Sequence, residues 1–153
     1  MTIEEKIAVI RNFVTQLRQQ VGHLSPSELT TAYIEGEWTI AQNIHHLFDS
    51  HSNAYQLCKR VLSEDEAGLS WTKQDILADL PDAQRADISG SLMALEGLHS
   101  RWADMFDNID NWDKSGKSIK SGKVYTLADL LRMYANHCEN HRQQIQDVLD
   151  AMN

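Results

Sequence analysis

Seven histidines, at positions 23, 45, 46, 51, 99, 137 and 141, are the residues of this chain best suited to chemistry. A neutral imidazole can ligate a metal or carry a proton near neutral pH. His137 and His141 stand four apart. On a helix that spacing places two rings one turn apart on one face, and both can reach a single ion at about 2.0–2.1 Å per bond. Seven histidines among 153 residues would give roughly 0.3 such pairs by chance, so the spacing is a weak signal. The plainer alternative is two polar groups at the edge of a core stripe. Nor is His137-Cys138-Glu139-Asn140-His141 the helix of a zinc protease, where the glutamate directly follows the first histidine. Glu139 sits two positions on, about 200° around the helix, and points away from the histidine face.

A further ligand has to come from elsewhere, and the run His45-His46 followed by Asp49 and His51 is the candidate source. The apolar stripe of that segment centres on Ile44, Phe48, His51 and Tyr55, with His45 and His46 on opposite flanks. Periodicity does not choose between the two. His51 falls inside the stripe and reads as a hydrogen-bonded core residue. His23 and His99 have no partner at a useful spacing and read as structural or solvated.

Four segments carry the 3.6-residue periodicity that could hold these side chains. The first joins Ile3, Ile7, Ile10, Val14, Leu17 and Val21. The second opens with Thr39-Ile40-Ala41-Gln42, a capping box, and continues through Ile44, Leu47, Phe48, Tyr55 and Leu62. The third runs from about Ile88 to Ile109, with Gly90 and Gly97 weakening the pattern. The fourth starts at Thr126 as N-cap, with Asp129 in its first turn, and ends beyond Leu149. Between them, Pro26 suggests a turn or a short helix start, and Gln74 to Leu80 a short extra helix. Ser121-Gly122 could turn a small hairpin before the last long helix. The expectation is an all-α protein, a four-helix bundle forming one domain over residues 1–153.

Composition narrows the partners. A net charge of -8, with no stripe of Lys and Arg, argues against nucleic acid. There is no apolar run long enough to span a bilayer and no basic-then-apolar leader, which points to the cytoplasm. Cys58 and Cys138 form no Cys-x-x-Cys pair, so neither a disulfide nor a zinc knuckle is expected. Lys114, Lys117, Lys120 and Lys123 form a cluster with two readings, a solvated loop or a patch that draws an anionic substrate to a nearby site.

Taken in order, Glu37-Trp38-Thr39-Ile40, Ile44-His45-His46-Leu47-Phe48-Asp49-Ser50-His51, Leu62-Ser63-Glu64-Asp65, Leu98-His99-Ser100-Arg101-Trp102 and His137-x-x-x-His141 resemble the DinB superfamily, and within it the YfiT-type members. The resemblance spans nearly the whole chain. It implies a four-helix bundle with a three-histidine metal site near one end, one ligand from the second long helix and two from the last. Carried over by position, the ligands are His46, His137 and His141. His45 becomes a neighbour, and Asp49 a carboxylate beside His46. The chain begins close to its first helix, without the longer amino-terminal extension expected of that subgroup.

Members of the family are described as metal-dependent hydrolases or as thiol transferases, with zinc or nickel, and often as homodimers. The resemblance therefore implies one divalent ion with an open coordination position, activating water for hydrolysis of a small-molecule substrate. The alternative is transfer of a thiol, in the manner of a bacillithiol transferase, through the thiolate that such an ion stabilises. A bundle that binds metal without catalysis, or only dimerises, is the third reading. No general base is evident, Asp49 and Glu139 being the nearest acids.

Overall fold

The computed structural model describes residues 1–153 and contains six α-helices and three short strands. Four long helices carry the molecule: α1 (Ile3–Val21), α3 (Ile40–Ser63), α5 (Ser89–Asp107) and α6 (Leu127–Ala151). Two short ones, α2 (Pro26–Thr30) and α4 (Gln74–Ala78), lie in the connections. The boundaries follow local chemistry. Thr2, Ser25, Thr39 and Thr126 each close a capping box with the residue three positions on. At α3, the Gln42 backbone N–H donates to Thr39 Oγ1 at 3.1 Å, and the Thr39 N–H donates to Gln42 Oε1 at 3.0 Å. We expect Thr39→Ala to lower unfolding free energy by about 1 kcal/mol, measured by urea denaturation. A loss below the error of the fit would show that the cap is redundant with packing.

Helix α1 packs on α5 and α6, and α3 packs on the same two helices. Thus α1 and α3 occupy opposite corners of the bundle, as do α5 and α6. Two of the three connections between consecutive long helices, residues 22–39 and 108–126, therefore cross a diagonal. The centre is filled by Trp102, Phe13, Phe106, Ile10, Leu17, Leu47 and Leu95, each fully buried. At the rim between α1 and α5, Arg11 pairs with Asp104 and Asp107, and Arg18 with Glu96. Such exposed pairs contribute little to stability.

The hairpin expected at Ser121-Gly122 is present. Strand β2 (Ser115–Ser118) runs antiparallel to β3 (Val124–Thr126), and Gly122 takes φ 73°, the left-handed region that favours glycine. A third strand, β1 (Ala67–Leu69), pairs in parallel with β2 and joins the post-α3 segment to the hairpin. It does not stand out in the sequence, being three residues long inside an acidic connection. Gly116 permits the approach, because a Cβ there would lie 2.9 Å from the Ala67 carbonyl oxygen.

Candidate metal centre

His46 occupies the second turn of α3, and His137 and His141 lie one turn apart on α6, against which α3 packs. Their Nε2 atoms converge: His46 to His141 is 3.1 Å, His137 to His141 3.1 Å, and His46 to His137 3.4 Å. A tetrahedral ion with bonds of about 2.0–2.1 Å sets its ligands roughly 3.3–3.4 Å apart, so the triangle has the size of one face of such a site. The three side chains expected to meet do meet.

Burial keeps these rings neutral. It depresses the pKa of His46 to about 4, of His137 to about 4 and of His141 to about 3, and for the last two the neighbouring imidazoles depress it further. The charge of Asp75 and the amide of Gln74 oppose the shift at His46 without cancelling it. At neutral pH each ring therefore offers a lone pair. Hydrogen bonding shows where that pair points on His141. The Asn43 amide donates from Nδ2 to the Thr39 carbonyl at 3.1 Å, which turns Oδ1 toward His141 Nδ1 at 2.9 Å. An amide oxygen only accepts, so Nδ1 of His141 carries the proton and Nε2 is bare. The bare Nε2 of His141 faces the Nε2 atoms of the other two rings, and a cation between them is a partner that all three lone pairs could share. The donor set thus fits a divalent ion.

His46 Nδ1 and Gln74 Oε1 are both buried and have no partner at hydrogen-bonding geometry. The Trp38 ring covers the centre, stacking on His141 at 6.3 Å and tilting over His46 at 4.7 Å. Beside the centre opens a groove of about 340 Å³, lined by Ile34, Glu37, Trp38, Asn43, Gln144 and Val148 among others.

The remaining histidines divide clearly. His45 faces away from the centre, with Nδ1 2.8 Å from Ser91 Oγ and Nε2 2.9 Å from the Arg85 carbonyl. Asp49 sides with His45, lining a separate groove with Asp82, Arg85 and Asp87, and is not beside His46. Its carboxyl is raised above the usual range by burial and by Asp82. Glu139 pairs with Arg142 at 3.6 Å, on the outer face of α6. His23 is exposed.

His51 and His99 are buried, as a structural reading of both requires, yet His99 does have a partner. His137 Nδ1 lies 2.9 Å from His51 Nε2, His51 Nδ1 lies 2.8 Å from His99 Nε2, and His99 Nδ1 lies 2.7 Å from the Ile10 carbonyl oxygen. No local spacing could have revealed this, because 48 residues separate His51 from His99. Cys138 Sγ lies within 4.8 Å of both. Burial raises its pKa well above the ordinary value, so without a metal it is a thiol at neutral pH. Both cysteines are free.

The lysine cluster serves the sheet end of the molecule. Lys114 Nζ donates to the Leu62 carbonyl at 2.8 Å, and the Lys123 ammonium sits 5.0 Å above the Tyr125 ring. Neither touches the histidines, and the groove beside Trp38 is lined by the carboxylates of Glu37 and Asp147 instead.

A helical bundle whose interior presents converging neutral imidazoles from facing helices belongs to the class of bundles with an internal group that could hold a metal ion. The chain belongs to the DinB superfamily, whose family model matches residues 12–145. It is 33% identical over 148 residues to the "Putative metal-dependent hydrolase YfiT" of Bacillus subtilis, covering 95% of this chain and 83% of that protein. It is 34% identical, with the same coverage, to a protein of the same functional description from Geobacillus thermodenitrificans. The solved structure of Bacillus subtilis YfiT, described as having an unusual four-helix bundle topology, superposes with a TM-score of 0.92 at 30% identity, over 98% of this chain and 87% of that one. A mycothiol-dependent maleylpyruvate isomerase shares the fold at a TM-score of 0.57 and 17% identity, over 95% of this chain and 61% of that one. No helix is long and apolar enough to cross a membrane.

Proposed function

We propose that this protein is a metal-dependent hydrolase of small molecules, with His46, His137 and His141 holding one divalent ion, zinc or nickel. The observation that carries this reading is the triangle of Nε2 atoms 3.1–3.4 Å apart. Its YfiT relatives are named for the same activity. Three neutral protein ligands leave a coordination position for a guest, the arrangement of catalytic rather than closed structural sites. A divalent ion bound there supplies a Lewis acid that lowers the pKa of a water or a thiol and polarises a carbonyl.

The chain's own residues do the rest. Asn43 orients His141, and Trp38 shields one side of the centre from water. The groove beside it has the volume of a small-molecule site. Asp75, exposed on α4, is the carboxylate whose charge favours a proton on His46, and in this reading it takes up a proton released at the centre.

The test is a pair of assays on zinc- and nickel-loaded protein, one with activated esters and amides, the other with a thiol plus an electrophile. Turnover of the first set that falls on Asp75→Asn while metal content stays constant is the expected result. Turnover of the second set alone would replace hydrolysis with thiol transfer. Stoichiometric metal with neither activity would make the centre structural.

A further inference from the structure

A backbone carbonyl can only accept a hydrogen bond, and one such carbonyl, that of Ile10 in α1, ends a chain of imidazoles running into the metal centre. His99 Nδ1 lies 2.7 Å from that oxygen, so Nδ1 carries the proton and Nε2 is bare. His51 Nδ1, 2.8 Å from His99 Nε2, must then donate, which leaves His51 Nε2 bare. His137 Nδ1, 2.9 Å from His51 Nε2, must donate in turn, and the lone pair of His137 is left on Nε2, facing His46 and His141. Each link leaves its neighbour one choice.

We propose that His51 and His99 are positioning residues of the metal centre, a buried relay that fixes His137 in the Nδ1–H form and aims its Nε2 lone pair at the ion. This deepens the metal-centre reading above and rests on it. The direction of the relay does not depend on whether an ion is bound, since the Ile10 carbonyl alone sets it. Phe13, Trp102 and Tyr134 surround His51 and His99 with ring centroids 5.1–5.9 Å away, and both imidazoles are fully buried from solvent. The relay also ends blindly. A backbone carbonyl takes up no proton at neutral pH, so the three rings cannot carry protons between the centre and solvent. Their work is orientation, which in metal sites generally changes affinity by about 10–100-fold.

In free histidine the Nε2–H form prevails, so the relay makes a distinctive demand. Nitrogen-15 NMR of the imidazoles, on chelator-treated protein at pH 7.5, should show His51, His99 and His137 each as a single Nδ1–H tautomer. An Nε2–H form at any of the three would overturn the relay, whatever the protein does with metal. Zinc titration of the same sample then tests the centre separately. Correct tautomers with no zinc uptake would leave the relay standing and remove the metal-centre reading.

Two variants distinguish positioning from packing. His99→Leu ends the relay and should weaken zinc binding about 10–100-fold, with His137 now a mixture of tautomers. His99→Gln retains a donor for Ile10 and an acceptor for His51, and should recover most of that affinity. Equal losses in two folded variants would reduce His99 to a space-filler and overturn the proposal. Should His99→Leu fail to fold, the wild-type tautomers decide.

Discussion

Replacing His141 by alanine should weaken binding of a divalent ion on the order of 100-fold or more, the largest loss expected from any single substitution at the centre. Three effects combine at this residue. One of the three proposed ligands disappears, Asn43 loses its partner, and the Trp38 ring loses the imidazole on which it stacks. Loss of an outer hydrogen bond alone costs about 10–100-fold, so loss of the ligand with its support should exceed that. Isothermal titration with zinc, after chelation and dialysis, measures the change. The metal-free variant should remain helical by circular dichroism, because His141 lies at the edge of the core. His45→Ala is the control, its nitrogens being engaged with Ser91 and Arg85 on the other side of α3. Equal zinc affinity in wild type and His141→Ala would remove the centre, and a larger loss in His45→Ala would relocate it.

Acid should destabilise the metal-free fold steeply between about pH 6.5 and 4. Burial lowers the folded-state pKa of His46, His99 and His137 to about 4 and of His141 to about 3, and pushes His51 well below its ordinary value. In the unfolded chain each titrates near 6.5. Within this window the unfolded state binds more protons than the folded one, so stability rises with pH. The stabilising contribution is complete above pH 6.5 and is lost as pH falls toward the folded-state values. One histidine moved from 6.5 to about 4 is worth roughly 3 kcal/mol at pH 4, a large share of a typical stability of about 5–15 kcal/mol. Thermal melts from pH 7.5 to 4.5 should show Tm nearly level at first and then falling, with more than one proton taken up per chain on unfolding. A Tm level down to pH 5 would contradict the neutral, buried cluster. Saturating zinc should raise the upper part of the curve and lose its effect at the acid end, where protons compete for the same lone pairs.

The long helices were legible because each is amphipathic and announces its start chemically, most plainly at Thr39-x-x-Gln42 and Thr126-x-x-Asp129. Which corners of the bundle they occupy was not, since an apolar stripe says that a face is buried and not against which neighbour. Strand β1 was hidden because its pairing depends on Gly116, far along the chain, rather than on its own three residues. At the centre, His137 and His141 showed themselves by spacing, while the choice of His46 over His45 came from family resemblance. In the structure it is His46 whose Nε2 converges with those of His137 and His141, while His45 is held by Ser91 and the Arg85 carbonyl. The relay and the Asn43 contact were out of reach, because they join positions 48 to 98 residues apart whose meeting only the folded bundle defines.

The thread from Ile10 to His99, His51 and His137 touches α1, α5, α3 and α6 in turn. Leucine against leucine tolerates a small slide, but a ring nitrogen 2.7–2.9 Å from its acceptor does not. Sliding any one long helix by a single residue would strand a buried polar group, at a cost of about 1–3 kcal/mol. Four oily cylinders are in this way keyed to one another at a single depth, and the alignment that brings three Nε2 atoms together is the same one that keeps the bundle from slipping.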